Sequence, residues 1–376
     1  MAINPTDFYN HLTKNGVDFF TGVPDSLLKE FCLCIDDNIN SDKHIITANE
    51  GNAIALAAGY FLANKSLPLV YMQNSGLGNA VNPLLSLCDP AVYSIPMLVM
   101  IGWRGEPGVK DEPQHVKQGS IQLELLNTMD IPYEIISKDD NQFDIKILNA
   151  INKAKSENRP VALLIKKGTF DKYQNTIHTT DNFTMHREEA LEIILKNIDE
   201  KVIVVSTTGK TSREIFEIRE RLGQSHEKDF LTVGSMGHCS SIALGIALAK
   251  PNRDVLCIDG DGAMLMHLGS LTSISVLKPK NLRHVLMNNQ AHESVGGQKT
   301  AATHIDLSAV VKSMGLNNIY TAQSQQELKN SIDEFFTAKT TTFLEVKIRS
   351  GSRDNLGRPT IKPIENKKDF MSFLDD

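Results

Sequence analysis

One strand–turn–helix–strand unit constrains this chain more than any other stretch. Residues 254–258 form a short apolar run. Gly260-Asp261-Gly262-Ala263 follows, then an apolar helix reaching Val276, and residues 282–287 make a second apolar run ending at Asn288-Asn289. Two such runs joined by one helix predict neighbouring parallel strands linked by a right-handed crossover. Gly260 and Gly262 allow a sharp turn and a close approach of backbone to a ligand. Asp261 and Asn289 then emerge at the carboxyl ends of adjacent strands, where open α/β sheets bind ligands. A carboxylate, an amide oxygen and a free backbone carbonyl make a hard, all-oxygen donor set that suits Mg²⁺ better than zinc.

The same alternation runs through the whole chain and predicts an α/β protein of two doubly wound parallel-sheet domains. Periodicity is lost over 169–185, which reads as a linker between domains at 1–168 and 186–350, with a C-terminal tail at 351–376 able to cover a site. Lys and Arg number 39 against 45 Asp and Glu, a net charge of −6 that offers no basic field for nucleic acid. No apolar run is long enough to span a bilayer, and the first residues lack the basic and apolar regions of a signal peptide. The five cysteines (32, 34, 88, 239 and 257) follow neither a disulfide framework nor a zinc spacing. They read as buried thiols in a reducing compartment, and the protein as a cytoplasmic one that meets small molecules.

Candidate site residues cluster at predicted strand ends. A strand at 17–20 leads into Gly22-Val23-Pro24-Asp25-Ser26, with Ser26 placed to cap the next helix. Another strand runs into a helix of small apolar residues whose first turn carries one carboxylate, Glu50, where it favours the helix dipole. Residues 73–79 are polar, Gly-rich and follow a strand. Residues 103–119 form a long loop without periodicity that gathers Arg104, Lys110, His115 and Lys117. Ser206-Thr207-Thr208 opens a helix after a strand, an arrangement that serves either a phosphate or a simple N-cap. The loop after Asn289 carries Ala291, His292, Glu293 and Lys299.

Glu50 at the head of its Ala-rich helix, Gly234-Ser235-Met236, Gly260-Asp261-Gly262 and Asn288-Asn289 occur in the order found in thiamine diphosphate (ThDP) enzymes, which this chain resembles over most of its length. The resemblance implies a pyrimidine-binding half followed by a diphosphate-binding half. Nothing of domain size fits between 167 and 185, so the middle domain of the longer members is absent. This short form resembles the decarboxylases of phosphonopyruvate and sulfopyruvate; Arg104-Gly105-Glu106-Pro107-Gly108 with Gln114-His115, and the tail Arg353-Asp354-Asn355-Leu356-Gly357-Arg358-Pro359, look most like the phosphonopyruvate branch, with sulfopyruvate as the alternative. A non-catalytic cofactor-binding member is a second alternative, against which Glu50 speaks.

By that resemblance Glu50 hydrogen-bonds the aminopyrimidine and promotes deprotonation of the thiazolium. Met236 wedges between the two rings of the cofactor, and the carbonyl of Gly234 accepts from the amino group. Asp261, Asn289 and the carbonyl of Ala291 hold Mg²⁺ against the diphosphate; Ser206, Thr207 and Thr208 are candidates for contact with the diphosphate, and Ser235, Gly260, Gly262 and Ala263 for contact with the cofactor. Asp25 and His115 are implied in proton transfer. Arg104, Lys110 and Lys299, with Ser26 and His292, stand as candidates for binding a 2-oxo acid with an anionic group on C3. Sites in the family are shared between subunits, which implies at least a homodimer.

Overall fold

The computed structural model describes residues 1–174 and 183–375, and the chain divides into two units, Met1–Thr179 and Thr180–Asp376. The stretch read as a linker lies partly outside the described residues. At its near end Phe170 bridges Ile3 in the first unit, and at its far end Met185 is buried in the core of the second.

The first unit runs α1 (Pro5–Lys14), β1 (Phe20–Gly22), α2 (Lys29–Asn38), β2 (His44–Ile46), α3 (Glu50–Asn64), β3 (Leu69–Gln73), α4 (Leu77–Ser86), β4 (Met97–Gly102), α5 (Pro113–Ser120), α6 (Gln122–Thr128), β5 (Tyr133–Ile136), α7 (Phe143–Glu157) and β6 (Pro160–Ile165). Its six strands are all parallel, in the order β2-β1-β3-β4-β6-β5. Successive side chains of a strand point to opposite faces. Leu69 and Tyr71 therefore join Phe8, Phe31 and Ile147 on one face, while Val70 and Met72 join Ala57, Leu84 and Leu126 on the other. Burial on both faces explains why the strands read as continuous apolar runs.

The second unit runs α8 (Arg187–Lys196), β7 (Ile203–Ser206), α9 (Lys210–Leu222), β8 (Asp229–Leu231), α10 (Cys239–Ala249), β9 (Val255–Gly260), α11 (Asp261–Met266), α12 (Ser270–Leu277), β10 (Leu282–Asn288), α13 (Leu307–Ser313), β11 (Asn318–Ala322), α14 (Gln325–Thr337), β12 (Thr342–Lys347) and α15 (Pro363–Asp375). Its sheet is also all parallel, in the order β11-β12-β10-β9-β7-β8. Numbered from its own first strand, this is the order of the first unit. In each sheet the order reverses beside the first strand, between β1 and β3 and between β7 and β9, which marks the two places where a ligand crevice opens.

Four local expectations are corrected. The strand expected at 17–20 forms at Phe20–Gly22, so Gly22 belongs to the strand and not to the turn. A Cβ there would lie 2.1 Å from the carbonyl oxygen of Tyr71, so glycine serves close strand packing. The expected loop at 103–119 closes as helix α5, with Pro113 in its first turn. The helix expected to run on to Val276 is broken into α11 and α12 around His267–Gly269. The C-terminal residues end in α15, whose Phe370 is buried against Phe230 and whose Asn366 donates to the carbonyl of Asp229.

Candidate active site

In the first unit the residues singled out from sequence follow the carboxyl ends of β1, β2, β3 and β4. Asp25 is fully buried after β1. Its Oδ1 accepts from Gln73 Nε2 at 2.7 Å across the β1–β3 crevice, and its Oδ2 accepts from Leu27 N at 2.9 Å. Burial raises its pKa, against the pull of those two hydrogen bonds. A Cβ on Gly102, the last residue of β4, would lie 2.1 Å from Asp25 Oδ2, so glycine at that strand end admits the carboxylate.

Arg104 grips both carboxylate oxygens of Asp111, at 2.8 and 2.5 Å, and its Nη1 donates to Ser26 Oγ at 2.8 Å. The pairing holds Asp111 far below the usual carboxylate range. Ser26 therefore receives the arginine instead of capping α2, whose N-cap position is Leu28, without a side-chain cap. His115 sits buried in α5 with no hydrogen-bond partner for Nδ1 among the described residues. Burial, and then the charge of Arg104, lowers its pKa. Lys110 is exposed and makes no ion pair among the described residues.

Glu50 opens α3 directly after its cap, Asn49, whose side chain accepts from Gly51 N. The carboxylate is turned inward and buried, and Asn79 Nδ2 in the first turn of α4 donates to Oε2 at 2.7 Å. Oε1 lies against Gly76, where a Cβ would come within 2.2 Å. Burial raises the pKa of Glu50, and the Asn79 hydrogen bond only partly offsets it. A buried acid in this state holds a proton near neutral pH more readily than a surface glutamate does.

In the second unit the remaining candidates follow the carboxyl ends of β7, β8, β9 and β10. The turn around Gly234-Ser235-Met236-Gly237 is left-handed at Gly234 (φ 68°), Ser235 (φ 48°) and Gly237 (φ 84°), and leaves Met236 half-buried. Gly234 N donates to Thr208 Oγ1 at 3.0 Å, which ties this turn to the one after β7. The Ser206 hydroxyl shares a 2.7 Å hydrogen bond with Ser212 Oγ and braces the turn from inside. Helix α9 then begins at Lys210 behind Gly209, without a side-chain cap, so its first amides keep the character of an anion site. Thr207 lies beside Gly260, its methyl 3.9 Å from where a Cβ would stand.

Asp261 is buried at the start of α11 and accepts from Thr300 Oγ1 at 2.5 Å. It has no cationic partner among the described residues, and burial pushes its pKa up to about 7. Asn289 turns its amide so that Oδ1 accepts from Ala291 N and Nδ2 donates to Glu293 Oε2 at 2.8 Å. Glu293 is itself held by Arg187 and Lys210, each at 2.8 Å, and Arg187 also makes a two-pronged pair with Glu214 at 2.7 and 2.9 Å. His292 packs on Gly262, its ring 3.1 Å from a Cβ position there, and burial takes its pKa down to about 4. Lys299 pairs with Ala291 through an antiparallel bridge and keeps its side chain exposed.

Residues 6–129 match the model described as thiamine pyrophosphate enzyme, N-terminal TPP binding domain, and residues 208–346 match its C-terminal TPP binding domain. The phosphonopyruvate decarboxylase of Streptomyces viridochromogenes is 35% identical over 392 residues, covering 99% of this chain and 95% of the relative. The chain belongs to the thiamine diphosphate-dependent decarboxylase family. A phosphonopyruvate decarboxylase of Streptomyces hygroscopicus is 33% identical over 390 residues, with 99% and 94% covered. The sulfopyruvate decarboxylase of Methanosarcina acetivorans is 27% identical over 400 residues, with 100% and 98% covered.

The residues present fit the family's cofactor and a divalent ion. Asp261 is a buried carboxylate without a counter-charge, and the oxygens beside it are hard donors of the kind Mg²⁺ takes. The uncapped start of α9, next to Thr207, Thr208 and Gly260, fits a diphosphate. Sequence reasoning missed Gln73 as the partner of Asp25, Asn79 as the partner of Glu50, Asp111 as the partner of Arg104, and the Arg187–Glu214–Glu293 network behind Asn289. Position was the sequence signal for three of these: Gln73 and Asn79 lie in the polar, Gly-rich stretch 73–79 after a strand, and Glu293 in the candidate loop after Asn289.

Proposed function

We propose that this chain decarboxylates 3-phosphonopyruvate to phosphonoacetaldehyde and CO₂, using thiamine diphosphate and Mg²⁺, as a homo-oligomer of at least two subunits with sites between them. The observation that carries the substrate is the 35% identity, nearly end to end, to a phosphonopyruvate decarboxylase. The sulfopyruvate decarboxylase related over its full length supports sulfopyruvate as the second reading. In domain terms, 1–168 binds the pyrimidine, 169–185 links, 186–350 binds the diphosphate and 351–376 forms the tail. Five free, buried cysteines support a reducing, cytoplasmic setting, and no helix among the described residues is long and apolar enough to cross a membrane.

Bound thiamine diphosphate supplies a carbanion nucleophile and an electron sink for the carboxylate that leaves. Glu50 holds and releases a proton at Oε1, the oxygen that Asn79 does not hold. Asp261, Asn289 and the Ala291 carbonyl hold the metal, and Arg187, acting through Glu293, fixes which way the Asn289 amide faces. Thr207, Thr208, Gly260, Gly262 and Ala263 line the cofactor's diphosphate end, while Ser206 braces the turn that presents the two threonines. Gly234, Ser235 and Met236 set the shape of the ring pocket.

Asp25 and His115 serve proton transfer to the product. Both are buried, one shifted toward its acid form and one toward its neutral form, which suits an acid–base pair near neutral pH. Lys110 and Lys299, exposed and without an ion pair among the described residues, offer charge for the phosphonate, whereas Arg104 reaches it only by sharing its guanidinium with Asp111 and Ser26. His292, neutral and packed on Gly262, lines the pocket.

The test is CO₂ release from phosphonopyruvate, sulfopyruvate and pyruvate in the presence of the cofactor and Mg²⁺. A strong preference for phosphonopyruvate is expected. Preference for sulfopyruvate would replace the substrate, and no release from any of the three would overturn the enzyme reading.

A further inference from the structure

The face of the second sheet that packs against α10 and α12 carries four metal-ligating side chains which the proposed chemistry does not use. Cys257 and Asp259 alternate along β9 and so point the same way. His284 is the register partner of Cys257 on β10, and Cys239 opens α10 above them. All four are buried, at 1%, 0%, 0% and 2% relative exposure in that order, within a layer of Leu286, Leu271 and Phe343. The three ligand atoms of Cys239, Cys257 and Asp259 lie within 4.8 Å of one another, and His284 Nε2 lies 3.6 Å from Asp259 Oδ2.

Buried polar groups are almost always hydrogen-bonded. Here neither ring nitrogen of His284 nor Oδ2 of Asp259 has a hydrogen-bond partner among the described residues. The two Sγ atoms stand 3.6 Å apart. A tetrahedral zinc site with Zn–S of about 2.3 Å and Zn–N or Zn–O of about 2.0–2.1 Å has S–S edges of about 3.8 Å and N–O edges of about 3.4 Å. The observed separations of 3.6 Å for both pairs come close to those edges. A Cys239–Cys257 disulfide would need the sulfurs at about 2.0 Å, well inside the 3.6 Å observed.

We propose that Cys239, Cys257, Asp259 and His284 form a buried structural site for a thiophilic divalent cation, zinc before any other. Two thiolates and an imidazole select zinc over Mg²⁺, so this site is distinct from the all-oxygen set at Asp261. Binding releases the two thiol protons to solvent, and the imidazole binds neutral. The ion ties the start of α10, directly after the Gly234–Gly237 turn, to the end of β9, directly before Gly260 and Asp261. Zinc therefore braces two segments of the cofactor cradle from below. The site does not depend on the substrate reading above.

The experiment reads metal and not turnover. The full chain, purified without added metal and dialysed against a weak chelator, is assayed for zinc by mass spectrometry. The chelator-stripped chain is then titrated with Co²⁺ in the absorption spectrometer. About one zinc per chain is expected, with a thiolate-to-cobalt charge-transfer band and intense tetrahedral visible bands. Cys239→Ser, at a helix start where serine is at home, should lose most of the zinc and weaken the charge-transfer band. Asp261→Asn should keep both. Wild-type protein without zinc, whose cobalt spectrum lacks a thiolate band, would overturn the proposal whether or not the variant folds. A Cys239–Cys257 disulfide found in alkylated peptides would overturn it as well.

Discussion

At the scale of single residues, the site works by placing ionisable groups where water is scarce and then giving each one a chosen neighbour. Glu50 shows how tight that placement is. Gly76 has ordinary right-handed backbone angles (φ −72°, ψ −15°), so alanine costs nothing in the backbone, yet its Cβ would stand 2.2 Å from Glu50 Oε1. That Cβ would also stand 2.6 Å from both Cδ and Cγ of Glu50, so the whole side chain, and not only its end, must re-seat. Gly76→Ala is therefore expected to lower kcat by about 100-fold or more, the range of a misplaced general acid–base group. Steady-state turnover measured alongside a thermal melt checks this, and unchanged kcat would remove Glu50 from the mechanism.

His115 carries a prediction in pH. Its folded pKa lies below the free value of about 6.5, so the unfolded chain binds more protons in the window just below that value, and stability falls as pH falls through it. Urea midpoints at about pH 7.5 and about pH 5.5 should differ more in the wild type than in His115→Gln, where this proton uptake is gone. These partners were invisible in sequence. Asp25 meets Gln73, and Glu50 meets Asn79, only because strands and helices distant in the chain become neighbours.

At the scale of elements, the short strands and their turns are held by buried ion pairs that link helices to the loops of the site. Arg187 at the start of α8 grips Glu214 of α9 and Glu293 of the loop after β10, and Glu293 in turn holds Asn289. Removing one partner of such a cluster strands the others without compensation, at a cost of about 3–5 kcal/mol. Arg187→Met should lower stability to urea by about that amount. It should also raise the Mg²⁺ concentration needed for half-maximal activity, because Glu293, which orients the Asn289 amide, loses one of the two cations that hold it. Intact Mg²⁺ dependence in a destabilised variant would confine Arg187 to a structural role. Element type was legible wherever apolar runs were long, as at β4, β9 and β10. It failed where one residue type serves two purposes: Gly22 read as punctuation but packs within a strand, and the charged run after Trp103 read as loop but ends in α5.

At the scale of the whole molecule, the two units repeat one strand order, and each opens its crevice where that order reverses. If sites form between subunits, Glu50 of one copy works with Asp261 of another. Glu50→Gln and Asp261→Ala proteins, each inactive alone, should then regain activity when mixed and allowed to exchange subunits. Random pairing restores about a quarter of the wild-type sites in a dimer. No recovery, with exchange confirmed by native mass spectrometry, would place both residues of a site in one copy.

The amino-acid sequence by itself determined the α/β class, the two halves and the strand-end motifs. These depend on local periodicity and on residues whose spacing along the chain already carries the chemistry. Tertiary structure alone decided the hydrogen-bond partners, the raised pKa values of Asp25, Glu50 and Asp261, and the gathering of Cys239, Cys257, Asp259 and His284. Burial and long-range contact set these, and neither exists until the strands have taken their order in the sheet.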